Sequence, residues 1–198
     1  MHPTEKESER VQRERTEYWS RIEGIEAENM VFIDESGVHL GMTRTHARAP
    51  KGRRAHGDAP SRRGKNVSIV GAICMAGILC FQSIMGAFNT LTFDAFMINH
   101  LVPQLWEGAC VFVDNCSIHK SDELRDAIEA VGARLIFLPP YSPDFSPIEN
   151  CWSKSKSHIK KVEPRNYPDL VKAIQEGMDS VTTKDIRNWY THCCYCSS

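Results

Sequence analysis

Leu138-Pro139-Pro140-Tyr141-Ser142-Pro143-Asp144-Phe145-Ser146-Pro147-Ile148-Glu149-Asn150-Cys151-Trp152 joins two kinds of backbone within fifteen residues. Before it, Arg134-Leu135-Ile136-Phe137-Leu138 is a short apolar run of the kind found in a buried strand. The paired prolines end that strand, because proline removes a ladder donor and restricts the residue before it. Pro147 is well placed to open a helix, where its missing N–H costs nothing, and the apolar spacing carries that helix to about Lys161. Glu149 therefore falls in the first turn of a helix reached by a stiff path from a strand.

Two further stretches have a common design. Met30-Val31-Phe32-Ile33-Asp34 and Cys110-Val111-Phe112-Val113-Asp114 are unbroken apolar runs that end in an acid. Each reads as a strand buried on both faces, with Asp34 and Asp114 at the C-terminal ends. Between them, Val67 to Phe88 supplies two strands turning at Ala76-Gly77. Leu91 to Trp106 has helical spacing, with Pro103 set to kink it, and Ser121 to Val131 is a helix stopped by Gly132. Two more helical patterns occupy Tyr167 to Tyr190. Ahead of the first strand, Thr4-Glu5-Lys6-Glu7 has capping-box spacing and leads into an amphipathic helix. Strands alternating with helices predict an α/β fold, a mixed central sheet flanked by helices, with its active edge where the acid-bearing strands finish.

At 198 residues the chain is long enough for one well-filled core. Its formal net charge of −1 excludes binding of nucleic acid by bulk charge, so such contact must come from local patches. The eight cysteines lie mostly in apolar runs such as Ala109-Cys110-Val111-Phe112, which fits a reducing, cytoplasmic setting. The apolar stretch Val67 to Phe81 is shorter than the roughly 20 residues that span a bilayer, so no membrane partner is expected. His192-Cys193-Cys194-Tyr195-Cys196 lacks a second, separated ligand pair and reads as a frayed terminus rather than a zinc site.

Three carboxylates brought to one sheet edge repel one another, and a divalent cation relieves that repulsion. Carboxylates without thiolate or imidazole ligands suit Mg²⁺ or Mn²⁺. Two such ions about 4 Å apart serve in-line phosphoryl transfer.

The residues Phe32-Ile33-Asp34-Glu35-Ser36-Gly37, Val113-Asp114-Asn115-Cys116-Ser117-Ile118-His119 and the Leu138–Trp152 segment together resemble the mariner superfamily of DDE transposases, most closely its bacterial insertion-sequence branch. The 34 residues between Asp114 and Glu149 are similar to the family spacing, and the resemblance runs from about Met30 to the C-terminus. It implies a ribonuclease-H-like catalytic domain over residues 30–198, preceded by a helical lead-in or linker over 1–29. Asp34, Asp114 and Glu149 would be the catalytic residues and the ligands of two Mg²⁺ or Mn²⁺ ions. The implied activity is cleavage at transposon inverted-repeat ends and transfer of the 3′-hydroxyl into target DNA at TA, by a homodimer or larger complex associated with the bacterial nucleoid. The helix-turn-helix modules usual in the family are expected to be absent here and supplied, if at all, by an upstream reading frame. Two rival readings share these residues: a non-catalytic DNA-binding remnant, and a ribonuclease-H-like nuclease without strand transfer.

Around the triad, Arg44 to Lys65 carries eight Lys or Arg against one acid, Asp58, and is broken by Gly and Pro. Arg44, Arg48, Lys51, Arg53 and Arg54 are therefore candidate DNA-backbone contacts, with a solvated charge run as the plain alternative. His119 is a candidate phosphate contact or an orienting group for the metal site, and equally a polar residue at the start of a helix. Lys156 and Lys160 lie seven and eleven residues beyond Glu149 and share its helix face, where they are candidates to hold the scissile strand. Glu35, Asn115 and Asp144 are read as structural neighbours, and Trp152 as core.

Overall fold

The computed structural model describes residues 4–196 apart from 45, 57 and 59. Its sheet contains β1 (Met30–Val38), β2 (Val67–Cys74), β3 (Gly77–Met85), β4 (Cys110–Val113) and β5 (Arg134–Phe137) in the order β3-β2-β1-β4-β5. The β3, β2 and β1 strands pair antiparallel, whereas β1, β4 and β5 pair parallel. The predicted α/β class with a mixed sheet flanked by helices is what the chain adopts. No helix of the described residues is long and apolar enough to cross a membrane.

The unbroken apolar runs are explained by helices on both faces. On one face Met30, Phe32, Cys110 and Phe112 pack with α1 (Glu9–Ile22), α4 (Ile148–Val162), α5 (Tyr167–Asp179) and α6 (Thr183–His192). On the other, Val31, Ile33, Val111 and Val113 pack with α2 (Thr90–Phe96) and α3 (Asp122–Ala130). Tyr190 of α6 donates its hydroxyl to the Met30 carbonyl at 2.9 Å, tying the last helix to the start of the first strand.

Several boundaries differ from expectation for local reasons. Thr4–Glu7 forms a short 3₁₀ turn and the α-helix begins only at Glu9 after Ser8, while the Thr4 side chain lies outside the described residues. The single helix expected over 91–106 divides into α2, a π-turn at Met97–Leu101 and a 3₁₀ turn at Val102–Gln104. Pro103 offers no N–H to an α-helical ladder there. The tail is packed rather than frayed through Cys196. Cys193 is buried, and the Tyr195 hydroxyl donates to the Phe145 carbonyl at 2.7 Å and contacts the Tyr18 hydroxyl at 2.6 Å.

The largest difference concerns Asp34. It lies within β1, which continues to Val38 because β2 keeps pairing with it from Phe32↔Ile73 to Val38↔Val67. What ends near Asp34 is the parallel pairing with β4, last seen at Phe32↔Phe112. Strand β4 itself ends at Val113, so Asp114 follows immediately after it, beyond the paired residues. Directly across the antiparallel ladder from Asp34 is Gly71. A Cβ on Gly71 would come within 3.0 Å of Trp152 Cη2 and 3.2 Å of Phe81 Cβ, so the missing side chain makes room for the indole. Gly71→Ala is expected to cost about 1–3 kcal/mol by overpacking. Urea unfolding checks it: the midpoint should fall with the m-value unchanged.

Candidate active site

Asp34, Asp114 and Glu149 come from β1, the segment just after β4, and the first turn of α4, and all three line one cavity of about 490 Å³. The Pro139–Pro143 segment forms much of its wall. Tyr141 takes a left-handed backbone conformation there (φ 54°), which helps turn the chain between strand and helix.

Each acid has its own environment. The Asp34 carboxylate is half-buried and accepts a hydrogen bond from Trp152 Nε1 at 3.0 Å. Burial, and then the nearby Glu149 charge, push its pKa up to about 7 in spite of that bond. Glu149 is raised as well, first by burial and then by Asp114, while the Lys156 ammonium opposes the shift. Asp114 behaves oppositely. Burial would raise it, but the His119 imidazole and the Cys116 backbone N–H, 3.1 Å from Oδ1, hold it below the usual carboxylate range.

His119 is only 3% exposed. Its Nδ1 approaches Asp114 Oδ1 at 2.5 Å, a charge contact outside good hydrogen-bond alignment, and its Nε2 lies 3.5 Å from Glu35 Oε1. Its ring rests on Phe93 with centroids 4.1 Å apart. Burial alone would lower its pKa, and the two carboxylates outweigh that and raise it to about 9. Held this way, His119 sits between Asp114 and Glu35. It is not presented to an incoming phosphate, because both nitrogens face carboxylates and the ring is enclosed.

The predicted cationic contacts separate into three groups. Lys156 lies within electrostatic reach of Glu149. Lys160 does not join it, because eleven residues along a helix is roughly 16 Å. It lines instead a second cleft of about 590 Å³ with Arg44, Lys154, His158 and Lys161. Arg48, Lys51, Arg53 and Arg54 are exposed on a segment without regular structure among the described residues. The end of that segment is moored by the Lys65 backbone N–H, which donates to the Tyr167 hydroxyl at 2.7 Å.

Two functional neighbours escaped the sequence reading. Trp152 orients Asp34, and the signal was present, since a buried indole N–H needs an acceptor. The other is the lead-in helix. Arg10 lines the cavity, and Arg15 grips Asp144 and Ser142. Nothing in sequence spacing announces a contact across more than 120 residues.

Among the described residues no three His, Cys, Asp or Glu side chains converge closely enough to grip one metal ion. The three acids share a cavity, but Asp34 is drawn to Trp152 and Asp114 to His119. The chemistry of the set nevertheless fits a hard divalent cation. It is all carboxylate, and the pKa values of Asp34 and Glu149 are raised first by burial and then by neighbouring negative charge, both of which a cation would offset.

A family model described as DDE superfamily endonuclease matches residues 29–171. No curated protein sequence matches the chain. Among solved structures, the Mos1 transposase paired-end complex with left transposon end is similar, with a TM-score of 0.74 at 16% identity, covering 98% of this chain and 64% of that one. The Mos1 mariner paired-end complex with Mn gives 0.74 at 20% identity, with 98% and 62% covered. The catalytic domain of Mos1 mariner transposase gives 0.68 at 16%, with 98% and 92% covered. The chain thus spans less than two thirds of the Mos1 chains in those complexes and nearly all of that catalytic domain, and the likeness is one of fold.

In the metal-free protein, the folded Asp34 pKa of about 7 exceeds the unfolded value of 3.8. The unfolded chain loses this proton first, so stability falls as pH rises from about 4 to about 7 and stays low above that range. Asp34→Asn should remove a penalty of up to about 4 kcal/mol at pH 8, with the gain shrinking toward pH 4. Thermal melts in EDTA check this, and adding Mg²⁺ at pH 8 should raise the Tm of the wild-type protein more than that of the variant.

Proposed function

The chain belongs to the DDE superfamily endonucleases, and on that premise we propose that it is the catalytic domain of a mariner-type DNA transposase of the bacterial insertion-sequence branch. Its reaction is cleavage of phosphodiesters at transposon ends followed by transfer of the freed 3′-hydroxyl into target DNA at TA. The observation that carries the proposal is the convergence of Asp34, Asp114 and Glu149 on one cavity from three distant parts of the chain.

Asp34, Asp114 and Glu149 would hold two Mg²⁺ or Mn²⁺ ions, in keeping with the Mos1 complexes solved with Mn and with Mg. Bound there, the ions would polarise the scissile phosphate and activate a water or a 3′-hydroxyl. The chain's own groups prepare that site. Trp152 holds one oxygen of Asp34, so this carboxylate keeps a fixed orientation on the rigid centre of the sheet. His119 keeps Asp114 ionised and aimed. Lys156, one face along α4 from Glu149, offers a cation to the DNA backbone beside the cavity.

Arg44 and Lys160, with the other cations of the second cleft, extend a basic track for DNA away from the cavity, and Arg48, Lys51, Arg53 and Arg54 supply loosely held phosphate contacts. Joining two ends calls for two catalytic cavities, hence a homodimer or larger complex. Residues 30–198 would make up the catalytic domain.

Nicking of supercoiled plasmid in Mg²⁺ or Mn²⁺, absent in EDTA, tests the cleavage. Asp34→Asn, Asp114→Asn and Glu149→Gln should each lower the rate by roughly a thousandfold or more while the protein stays folded. Full activity in the three variants refutes the assignment. Incubation with a labelled oligonucleotide bearing a pre-cut 3′-hydroxyl end should give joined products. Nicking without joining would identify a nuclease, and neither reaction a non-catalytic DNA-binding remnant.

A further inference from the structure

Helix α1 is fastened across the Ser142–Phe145 segment that leads into α4. Arg15 Nη1 donates to Ser142 Oγ at 2.6 Å and to Asp144 Oδ1 at 3.1 Å, and Nη2 donates to Asp144 Oδ2 at 2.6 Å. This fork is the geometry in which a guanidinium holds a carboxylate most firmly. The Arg15 side chain is only 13% exposed, and its guanidinium carbon lies 4.1 Å from the centre of the Phe145 ring. Lys6 reaches the same Asp144 oxygen at 3.2 Å. On the next turns Tyr18 stacks on Phe145 at 5.4 Å and Trp19 meets its edge at 5.1 Å. Such a multiply anchored helix is not a loose tether.

Arg10, little more than one turn before Arg15, is carried by this fastening to the wall of the cavity that holds Asp34, Asp114 and Glu149. Its side chain is 60% exposed and pairs with Glu14 at 2.6 Å, an exposed contact four residues along the same helix. Pairs of that kind are weak, so a phosphate can readily displace Glu14 from the guanidinium. A phosphodiester entering the cavity would meet carboxylates and, beside them, a planar, two-pronged donor.

We propose that Arg10 is a phosphate-binding residue of this cavity and that Arg15, through Asp144 and Ser142, is the positioning residue that keeps it there. On this account α1 is a working part of the catalytic unit, not a linker ahead of it. The inference rests on the reading of the cavity as a site for DNA cleavage.

The test uses the full chain and a fluorescein-labelled 20-base-pair duplex in Ca²⁺, with Kd measured by anisotropy over a range of KCl, beside Mn²⁺-dependent plasmid nicking. Arg10→Ala should weaken binding roughly tenfold and reduce the slope of log Kd against log salt by about 0.9, the loss of one phosphate contact. Arg10→Lys should keep most of the slope. Arg15→Gln should lose the same slope as Arg10→Ala and also melt at lower temperature. Arg13→Ala, on the same helix and paired with Glu17 at 4.0 Å, should leave slope and nicking unchanged. An unchanged slope in Arg10→Ala, or an equal loss in Arg13→Ala, overturns the proposal even if the wild-type protein nicks DNA. A wild-type chain that neither binds nor nicks overturns both the reading of the cavity and this inference with it.

Discussion

A single hydrogen bond, from the indole N–H of Trp152 to Asp34, couples the two halves of the site. Trp152 is buried, and an indole donor in that position must find an acceptor or lose a bond that water would have supplied. The acceptor it finds is an acid in the middle of the central strand, while Glu149 stands three residues earlier on the same helix. The bond therefore ties α4, which Ile148, Cys151, Trp152 and Ile159 seat in the core, to the strand that carries Asp34. Gly71 is the silent partner, since any side chain there would push the indole away.

Placing those carboxylates together is unfavourable in itself. Asp34 and Glu149 both lie above their ordinary pKa ranges, chiefly through burial and secondarily through neighbouring negative charge. The sheet tolerates this because its central strands are covered by apolar layers on both faces, so the cost at the site is offset by the core. Asp114 is spared by a different device. Glu35 points to the opposite face from Asp34, where His119 lies between it and Asp114 and takes charge from both. Alternation along one strand gives adjacent acids different tasks.

The fold was legible in the sequence wherever one local rule prevailed. The apolar runs around Phe32 and Phe112 admit only strands covered on both sides, and Pro147 with the periodicity after it marks α4. Reading was harder where two elements compete for one segment. Asp34 looks terminal because the apolar run stops there, yet the ladder to β2 carries the strand on to Val38. Helical periodicity put Lys160 and Glu149 on one face correctly but says nothing of the distance along the axis, which takes Lys160 to another cleft. The Arg15–Asp144 fork was out of reach altogether, because a contact between residues so far apart depends on how α1 packs and leaves no periodic trace.

A chain of net charge −1 can still engage a polyanion when its charges are segregated. Three acids, Asp34, Asp114 and Glu149, line the cavity, while others are paired with cations, as Asp144 is with Arg15 and Asp185 with Lys154. Of the basic groups, Arg10 lines the same cavity, Lys156 acts on Glu149 from α4, and Arg44 and Lys160 share the second cleft. On the proposed function, the carboxylates of one cavity would gather divalent cations while the cations beside it and in the second cleft would meet the DNA backbone, a division of labour that a uniformly basic surface could not provide.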